Sequence, residues 1–393
     1  MLEALRKAEP DRILSLIALV RDDPRPGKMD LSIGVYRDES GRTPILAAVR
    51  AAERRLYEGE TTKSYVGPAG DAAFNAAVQR LVFGDGDASR IRAVQTPGGA
   101  GALRILAGLL ARARPGATVW LPDPTWVNHE SIMADAGLAI RRYPYFDPAT
   151  GGIRFDALLD ALGGAAAGDA VLLHGCCHNP SGADPTAAEW RELADLLVRK
   201  GLFPFVDLAY QGFGDGLDED AAAVRLLAGR VPEMAVATSC SKNFGIYRER
   251  TGAAFVLGAT PAQADVALSQ LVVCARIAYS MPPDHGASIV RIVLEDPALA
   301  ARWRDELAAM RGAVVATRRA LAAAFRTRTG TERYDFLLRH RGMFSLLGVD
   351  ERQADRLRRE HGIYVVADGR ANLAGLRANQ IEPLVSALLA VRG

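Results

Sequence analysis

The sequence predicts an α/β fold: a mainly parallel sheet covered by helices on both faces. Two observations lead there. Five apolar, strand-like runs, TVWLP, AVLLHG, LFPFVDLAY, MAVATSC and GAAFVLG, alternate with helix-patterned stretches from Thr118 to Gly258, the order that parallel strands with crossover helices require. Polar residues with chemical potential, Asn179, Asp207, Tyr210 and Lys242, lie at or just beyond the C-terminal ends of those runs, where open α/β sheets bind ligands.

Composition narrows the class. With 393 residues, 49% of them hydrophobic and 24% charged, the chain has enough apolar material for a large core and length for two or three domains. A formal charge of only +2, with the charges interspersed, gives no basic field for nucleic acid. No apolar run approaches the ~18 residues of a spanning helix, and MLEALRKAEPDR lacks the apolar centre of a signal peptide. No membrane role and a cytoplasmic location are therefore expected. Cys176, Cys177, Cys240 and Cys274 show no C-x-x-C spacing and are read as reduced and mostly buried.

Taken in order, Ile13, Leu14, Leu16 and Ile17 have helical spacing, which Pro24, Pro26 and Gly27 end. A short strand is expected from Asp30 to Tyr36. Helical pattern resumes at Pro44 through Ala47, Val49 and Leu56, and Tyr65 lies in the Gly/Pro-rich loop KSYVGPAG. A strand ending near Val94-Gln95-Thr96 then meets a glycine turn that opens a helix with Leu103, Leu106 and Leu110 on one face. Free N–H groups at that helix start form an anion site, and Gly98 and Gly99 allow close approach. The turn partly matches a dinucleotide fingerprint, but the third glycine is missing. Glycines also simply cap such turns. Thr186 and Glu189 have capping-box spacing, with Gly201 closing the helix. Asp296-Pro297 starts a long helix with Leu299, Trp303, Leu307, Met310, Val314, Leu321 and Phe325 on one face.

The stretch SCSKNFGIYRER, Ser239 to Arg250, concentrates the chemistry. Lys242 stands at the mouth of a buried strand, with Ser239, Ser241 and Arg250 able to hold a phosphate beside its amine. A lone Ser-x-Ser-Lys is more often a solvated loop. The neighbouring loops supply what a pyridinium cofactor needs: Trp126 to stack, Asn179, Asp207 to pair with a protonated ring nitrogen, and Tyr210 to reach a phenolic oxygen. Asp207 alone reads equally as a helix cap or a structural ion pair. His174 and His178 flank two cysteines, but HGCCHNP is a turn without the helical H-E-x-x-H form, so no metal is expected.

The segments GVYRDESGRTP, TPGGAGALR, LPDPTWVNH, LLHGCCHNPSG, FVDLAYQGF, SCSKNFGIYRERTG, YSMPPDHGA, GMFSLLG and GIYVVADGRANLAGL resemble, in order, those of class I aspartate and aromatic amino acid aminotransferases. The resemblance covers nearly the whole chain. It implies the pyridoxal 5'-phosphate-dependent transferase fold and a homodimer with shared active sites. Lys242 would carry the cofactor covalently, Asp207 would keep its ring nitrogen protonated, and Tyr210 and Asn179 would bind its phenolic oxygen. Gly99, Ala100, Ser239, Ser241 and Arg250, with Tyr65 from the neighbouring subunit, would bind its phosphate, and Trp126 would stack on its ring. His129 and His174 would support Asp207 from behind. For the amino acid and 2-oxo acid substrates, Arg370 would take the α-carboxylate and leave the Cα–H bond aligned for cleavage, while Arg276 of the other subunit would take a distal carboxylate. Gly34, Phe344, Ile13 and Leu14 would close the pocket. Cis peptides are implied before Pro124 and Pro180.

The implied organisation is an N-terminal arm at 1–10, a small α+β domain from 11–43 and 310–393, and a large domain at 44–309. Ala100 stands where aspartate-selective members have a hydroxyl residue, so one phosphate bond is lost while the backbone N–H remains. Near the pocket, Met281 and Ser64 stand where those members have asparagine. Less polarity suits large apolar side chains. The expected activity is transfer from aromatic amino acids or aspartate to 2-oxoglutarate, with an aspartate-selective enzyme as alternative. A nicotinamide-dependent dehydrogenase fits the glycine turn but leaves Lys242 idle, and a transcription regulator needs a DNA-binding arm longer than Met1 to Asp30.

Overall fold

The computed structural model describes residues 2–7, 12–86 and 88–392, of which 12–14 by backbone only. Seven strands form the central sheet, in spatial order Ile91–Pro97, Thr251–Leu257, Met234–Ser239, Phe203–Leu208, Ala170–His174, Thr118–Asp123 and Ala139–Pro144. Pairing is parallel from Met234–Ser239 to Ala139–Pro144. Thr251–Leu257 runs antiparallel to both its neighbours. Every residue of Ala170–His174, Met234–Ser239 and Thr251–Leu257 is buried, as strands covered on both faces must be, and this is why they read as continuous apolar runs.

Alternate residues of the central strands enter different cores. Val171, Leu173, Val206 and Val236 join one apolar cluster, and Ala170, Leu172, Phe205, Ala235 and Ala237 another. The period-2 alternation of a strand puts these on opposite faces of the sheet. A third cluster lies away from the sheet, gathering Met29 and Leu31 with residues from Leu321 to Val391. The helix Pro297–Thr329 serves two clusters, giving Leu299, Trp303, Leu307, Met310 and Val314 to the first and Leu321 and Phe325 to the third. Asp296 Oδ1 caps it by accepting from Leu299 N–H at 2.9 Å.

Other expected elements form as read. Helices occupy Arg12–Asp22, Ala47–Gly59, Gly98–Ala113 and Ala187–Lys200, the last with its Thr186–Glu189 capping box and Gly201 at φ 61°. Cis peptides precede Pro124 and Pro180. The cysteines are free and buried. Among the described residues no helix is long and apolar enough to cross a membrane.

Two strands differ from expectation. The one expected over Asp30–Tyr36 shortens to Met29–Asp30, paired with Ile363–Tyr364. Beyond it the carbonyls of Ser32, Ile33 and Val35 accept side-chain hydrogens from Arg370 (3.0 Å) and Asn372 (2.6 and 2.7 Å) rather than from a neighbouring strand. Ala139–Pro144 was not expected. Its sequence, AIRRYP, has no apolar run because it is the sheet edge, where charged side chains discourage further pairing.

Trp303 ties the long helix to the segment after Lys242. Its ring stacks on Phe244 with centroids 4.4 Å apart, and its Nε1–H donates to the Asn243 carbonyl at 2.8 Å. Trp303→Phe removes that buried hydrogen bond and part of the packing, and should lower unfolding free energy by roughly 1–3 kcal/mol. Urea unfolding checks this; an unchanged midpoint would contradict the assignment.

Candidate active site

Asp207 is the second-last residue of Phe203–Leu208 and is buried. Parallel register sets His174 beside it on the next strand. Its Oδ2 accepts from His129 Nε2 at 3.1 Å, and His129 comes from the helix Val127–Asp135. Behind His129 the chain continues through Thr125 Oγ1, 2.8 Å from His129 Nδ1 and 3.2 Å from His174 Nε2. His174 Nδ1 accepts from Asn179 N–H at 3.4 Å. One consistent ordering of protons follows: His174 Nε2–H donates to Thr125, whose hydroxyl donates to His129 Nδ1, leaving His129 Nε2–H for Asp207. Burial raises the Asp207 carboxyl, but the hydrogen bond from His129 and the nearby Lys242 ammonium outweigh it, so Asp207 stays below the usual carboxylate range. Burial lowers His174 to about 3, keeping it neutral.

Lys242 follows Met234–Ser239 in a turn and is partly covered. Its Nζ lies 4.7 Å from the Tyr210 ring centroid. Burial lowers its ammonium to about 8, Asp207 pulling it back up and Arg250 pushing it further down. Tyr210 OH accepts from Asn179 Nδ2 at 3.3 Å. Burial holds that phenol well above its ordinary value, so it stays protonated.

Two cationic sites lie beside this centre. Arg250 reaches the start of the helix Gly98–Ala113: a Cβ at Gly98 would meet its Nη2 at 2.8 Å, and one at Gly99 would meet Ser239 Cβ at 3.2 Å. Ser241 Oγ lies 3.5 Å from Arg250 Nη1, and Ser241 N–H donates to Ser239 Oγ at 3.2 Å. Glycine's missing side chain, helix N–H groups, two hydroxyls and a guanidinium make an anion cradle. Ala100 leaves it without a third hydroxyl. Arg370, in the strand Arg370–Asn372, is 5% exposed. It donates to Asn179 Oδ1 (3.3 Å) and the Ser32 carbonyl (3.0 Å), lies 4.5 Å from the Phe344 ring centroid, and has a buried Nε with no partner. Among the described residues no carboxylate bridges it. Phe344 in turn rests on Gly34, where a Cβ would meet its Cζ at 2.5 Å.

The chain matches the family model of aminotransferase class I and II over residues 26–388. The chain belongs to this family. It is similar to an aromatic-amino-acid aminotransferase of Paracoccus denitrificans, 49% identical over 392 residues and all of both chains, and to an aspartate aminotransferase of Escherichia coli, 45% identical over 395 residues and all of both. An aromatic-amino-acid aminotransferase structure from Burkholderia pseudomallei, covalently bound to pyridoxal phosphate, superposes with a TM-score of 0.96 at 40% identity, covering 100% of this chain and 99% of that one.

The residues of this aminotransferase fit that cofactor. A depressed amine at Lys242, an ionised carboxylate at Asp207 and an anion cradle beside them match an aldehyde, a pyridinium nitrogen and a phosphate. Trp126, T-shaped against His129 at 5.2 Å, keeps part of its ring uncovered. Tyr65, 91% exposed, and Arg276, exposed and bonded to Ser280 Oγ at 3.1 Å, are not brought to Lys242 within one chain. The side chains of Ile13 and Leu14 lie outside the described residues. Sequence reading missed Thr125 and the Ser32 carbonyl. Thr125 had a signal, lying inside DPTWVNH; a backbone acceptor has none. Cys176, Cys177 and Asp220 have ligand atoms within 4.8 Å of one another, but Asp220 already accepts from Gly212, Gly214 and Asp215 N–H, each at 2.8 Å.

A lowered lysine pKa costs folding stability wherever the folded chain must charge it. Below pH 8 that cost is complete; between about 8 and the unfolded 10.5 the unfolded state binds more protons and stability rises with pH. Cofactor-free Lys242→Met should therefore be more stable than the wild type at pH 7, and the gap should close by pH 10.5. Urea unfolding across that range measures it, and a pH-independent gap would refute the depressed amine.

Proposed function

We propose that this aminotransferase moves the amino group of phenylalanine, tyrosine, tryptophan or aspartate to 2-oxoglutarate, with pyridoxal phosphate on Lys242 and in ping-pong order. The observation that carries it is Arg370: a buried guanidinium with a free Nε and no carboxylate partner among the described residues, joined through Asn179 to Tyr210 and so to Lys242. A buried cation of this kind is costly unless an anion completes it, and an α-carboxylate suits its planar fork.

The geometry supports the following roles. When bound, the cofactor supplies an electron sink for proton loss at the substrate α-carbon. Asp207 holds a negative charge for a cationic ring nitrogen, and the His129–Thr125–His174 chain keeps it ionised and oriented. Tyr210 and Asn179 hold hydrogen-bond donors at the centre, and Ser239, Ser241, Arg250, Gly99 and Ala100 surround the cradle. With its pKa near 8, the Lys242 amine is neutral in about a tenth of molecules at pH 7, against a few in ten thousand for an ordinary lysine, which suits general-base work at the α-carbon. Phe344 on Gly34 shields the Arg370 end from water.

A homodimer completes the reading. Tyr65, Val66, Val273, Arg276 and Ile277 are all exposed, and a second copy would cover them while bringing Tyr65 to the cradle and Arg276 to a distal carboxylate. Val66 N–H donates to Met281 Sδ at 3.2 Å, so the thioether lines the loop holding Ser64 and Tyr65. A thioether there, where aspartate-selective members have an amide, favours aromatic side chains over strict aspartate selectivity. The proposed location is the cytoplasm, and residues 11–43 with 310–393 are proposed to close over 44–309.

Incubation with pyridoxal phosphate should give a yellow protein, and borohydride should fix the label on Lys242. A colourless, unlabelled chain would remove the basis for this function. Arg276→Leu should cut kcat/KM for aspartate roughly 100-fold and for phenylalanine less than about threefold; equal losses would show that Arg276 is not the distal clamp.

A further inference from the structure

Arg318 is 2% exposed on the buried stripe of the helix Pro297–Thr329. It falls between Val314, which packs in the sheet-side cluster, and Leu321, which packs in the outlying one. An apolar residue would extend the stripe; a guanidinium interrupts it. No carboxylate bridges Arg318 among the described residues. Its Nη1 donates to Ser345 Oγ at 2.7 Å, and its Nη2 lies within 2.7, 2.8 and 3.2 Å of the carbonyls of Phe344, Gly342 and Arg341. Ser345 Oγ lies 2.9 Å from His340 Nδ1, and His340 Nε2 donates to the Gly151 carbonyl at 2.7 Å. One cation therefore gathers the segment from His340 to Ser345.

That segment bears on the substrate end of the site from two sides. Phe344 pairs with Asn372 and Leu346 with Arg370, so its path sets the strand carrying Arg370. It also interlocks with the turn that carries Asn179. Arg341 N–H donates to the Gly182 carbonyl at 2.7 Å, a Cβ at Gly182 would lie 2.4 Å from the Phe344 carbonyl oxygen, and a Cβ at Gly342 would lie 2.4 Å from Cys177 Cβ. With no slack on that side, the position of the segment depends on what holds it from the helix.

We propose that Arg318 is a positioning residue for the substrate end of the site, holding Gly342–Ser345 so that Phe344 and Arg370 meet the amino acid carboxylate in register with Asn179. This rests on the reading of Arg370 as the α-carboxylate clamp. A guanidinium suits the task because its rigid fork reaches several acceptors at once; lysine offers a single point of donors, and methionine offers none.

The test compares Arg318→Lys, Arg318→Met and Ser345→Ala with Arg370→Lys in the full-length enzyme carrying pyridoxal phosphate. Arg318→Met should raise KM for phenylalanine and for 2-oxoglutarate by roughly 10- to 100-fold, the scale expected when a clamp is displaced by about an ångström. Arg318→Lys should fall between it and the wild type, and Ser345→Ala should move KM the same way. The absorption band and borohydride labelling of Lys242 should be unchanged, because Arg318 touches neither the cradle nor the Asp207 chain. If the Arg318 variants lower Tm while KM stays within about twofold and Arg370→Lys raises it, the proposal is overturned and the clamp reading stands. If Arg370→Lys also leaves KM unchanged, the clamp reading falls and the proposal with it. Should Arg318→Met fail to fold, the lysine and Ser345 variants decide by the same readouts.

Discussion

A carboxylate held ionised inside a sheet is the constraint that the rest of this molecule satisfies. Asp207 lies near the end of a strand whose last five residues, Pro204 to Leu208, are all buried, where an unpaired charge would cost several kcal/mol or force protonation. The cost is met by a line of hydrogen bonds that takes one group from each of several elements: His129 from a helix, Thr125 from the loop before it, His174 from the adjoining strand and Asn179 from the following turn. Each member fixes which nitrogen of the next carries hydrogen. Strand order matters for this reason, since only parallel register between Ala170–His174 and Phe203–Leu208 sets His174 opposite Asp207.

Against that one negative charge stand Lys242, Arg250 and Arg370. The chain as a whole carries a formal charge of only +2, so the excess is local and owes nothing to overall basicity. Low-dielectric walls strengthen such a field and draw anions to it. Two anion sites flank one depressed amine: the Gly98–Gly99 cradle at the end of the sheet and Arg370 on the outlying strand. A doubly anionic cofactor and a carboxylate substrate meet these demands together, while a neutral ligand would leave both guanidinium groups unanswered.

Much of this was legible because buried parallel strands advertise themselves. MAVA and AVLL are apolar throughout, so the polar residues that follow them stand out, and the sequence alone places Lys242, Asp207 and Asn179 at one edge. What escaped was contact between elements distant in sequence. Thr125 looked like an ordinary turn residue because its role depends on two histidines arriving from elsewhere. AIRRYP concealed an edge strand because an edge keeps its charges. The strand expected from Asp30 ended early because Asn372 and Arg370, more than 300 residues away, occupy its carbonyls, and side-chain capture of backbone groups leaves no local periodicity. Tyr65 and Arg276 were legible only through family resemblance, since within one chain they are surface residues.

The site also spans two cores. Asp207, Lys242 and the cradle are anchored in the sheet, whereas Arg370 and Asn372 belong to a strand beside the outlying cluster. Among the stretches that cross between these bodies, two are joined to each other. The helix Pro297–Thr329 changes cluster between Val314 and Leu321, and the run from Met343 to Val349 changes between Phe344 and Leu347. They meet where they cross, at Arg318 and Ser345. Apolar packing has little directional preference and permits sliding, whereas a guanidinium bound to several fixed acceptors holds a defined angle and distance. A ligand carboxylate on Arg370, with its α-carbon over Lys242, would add a third link between the bodies. Polar contacts at the crossing therefore fix a distance and an angle between the two cores that apolar packing alone leaves loosely defined.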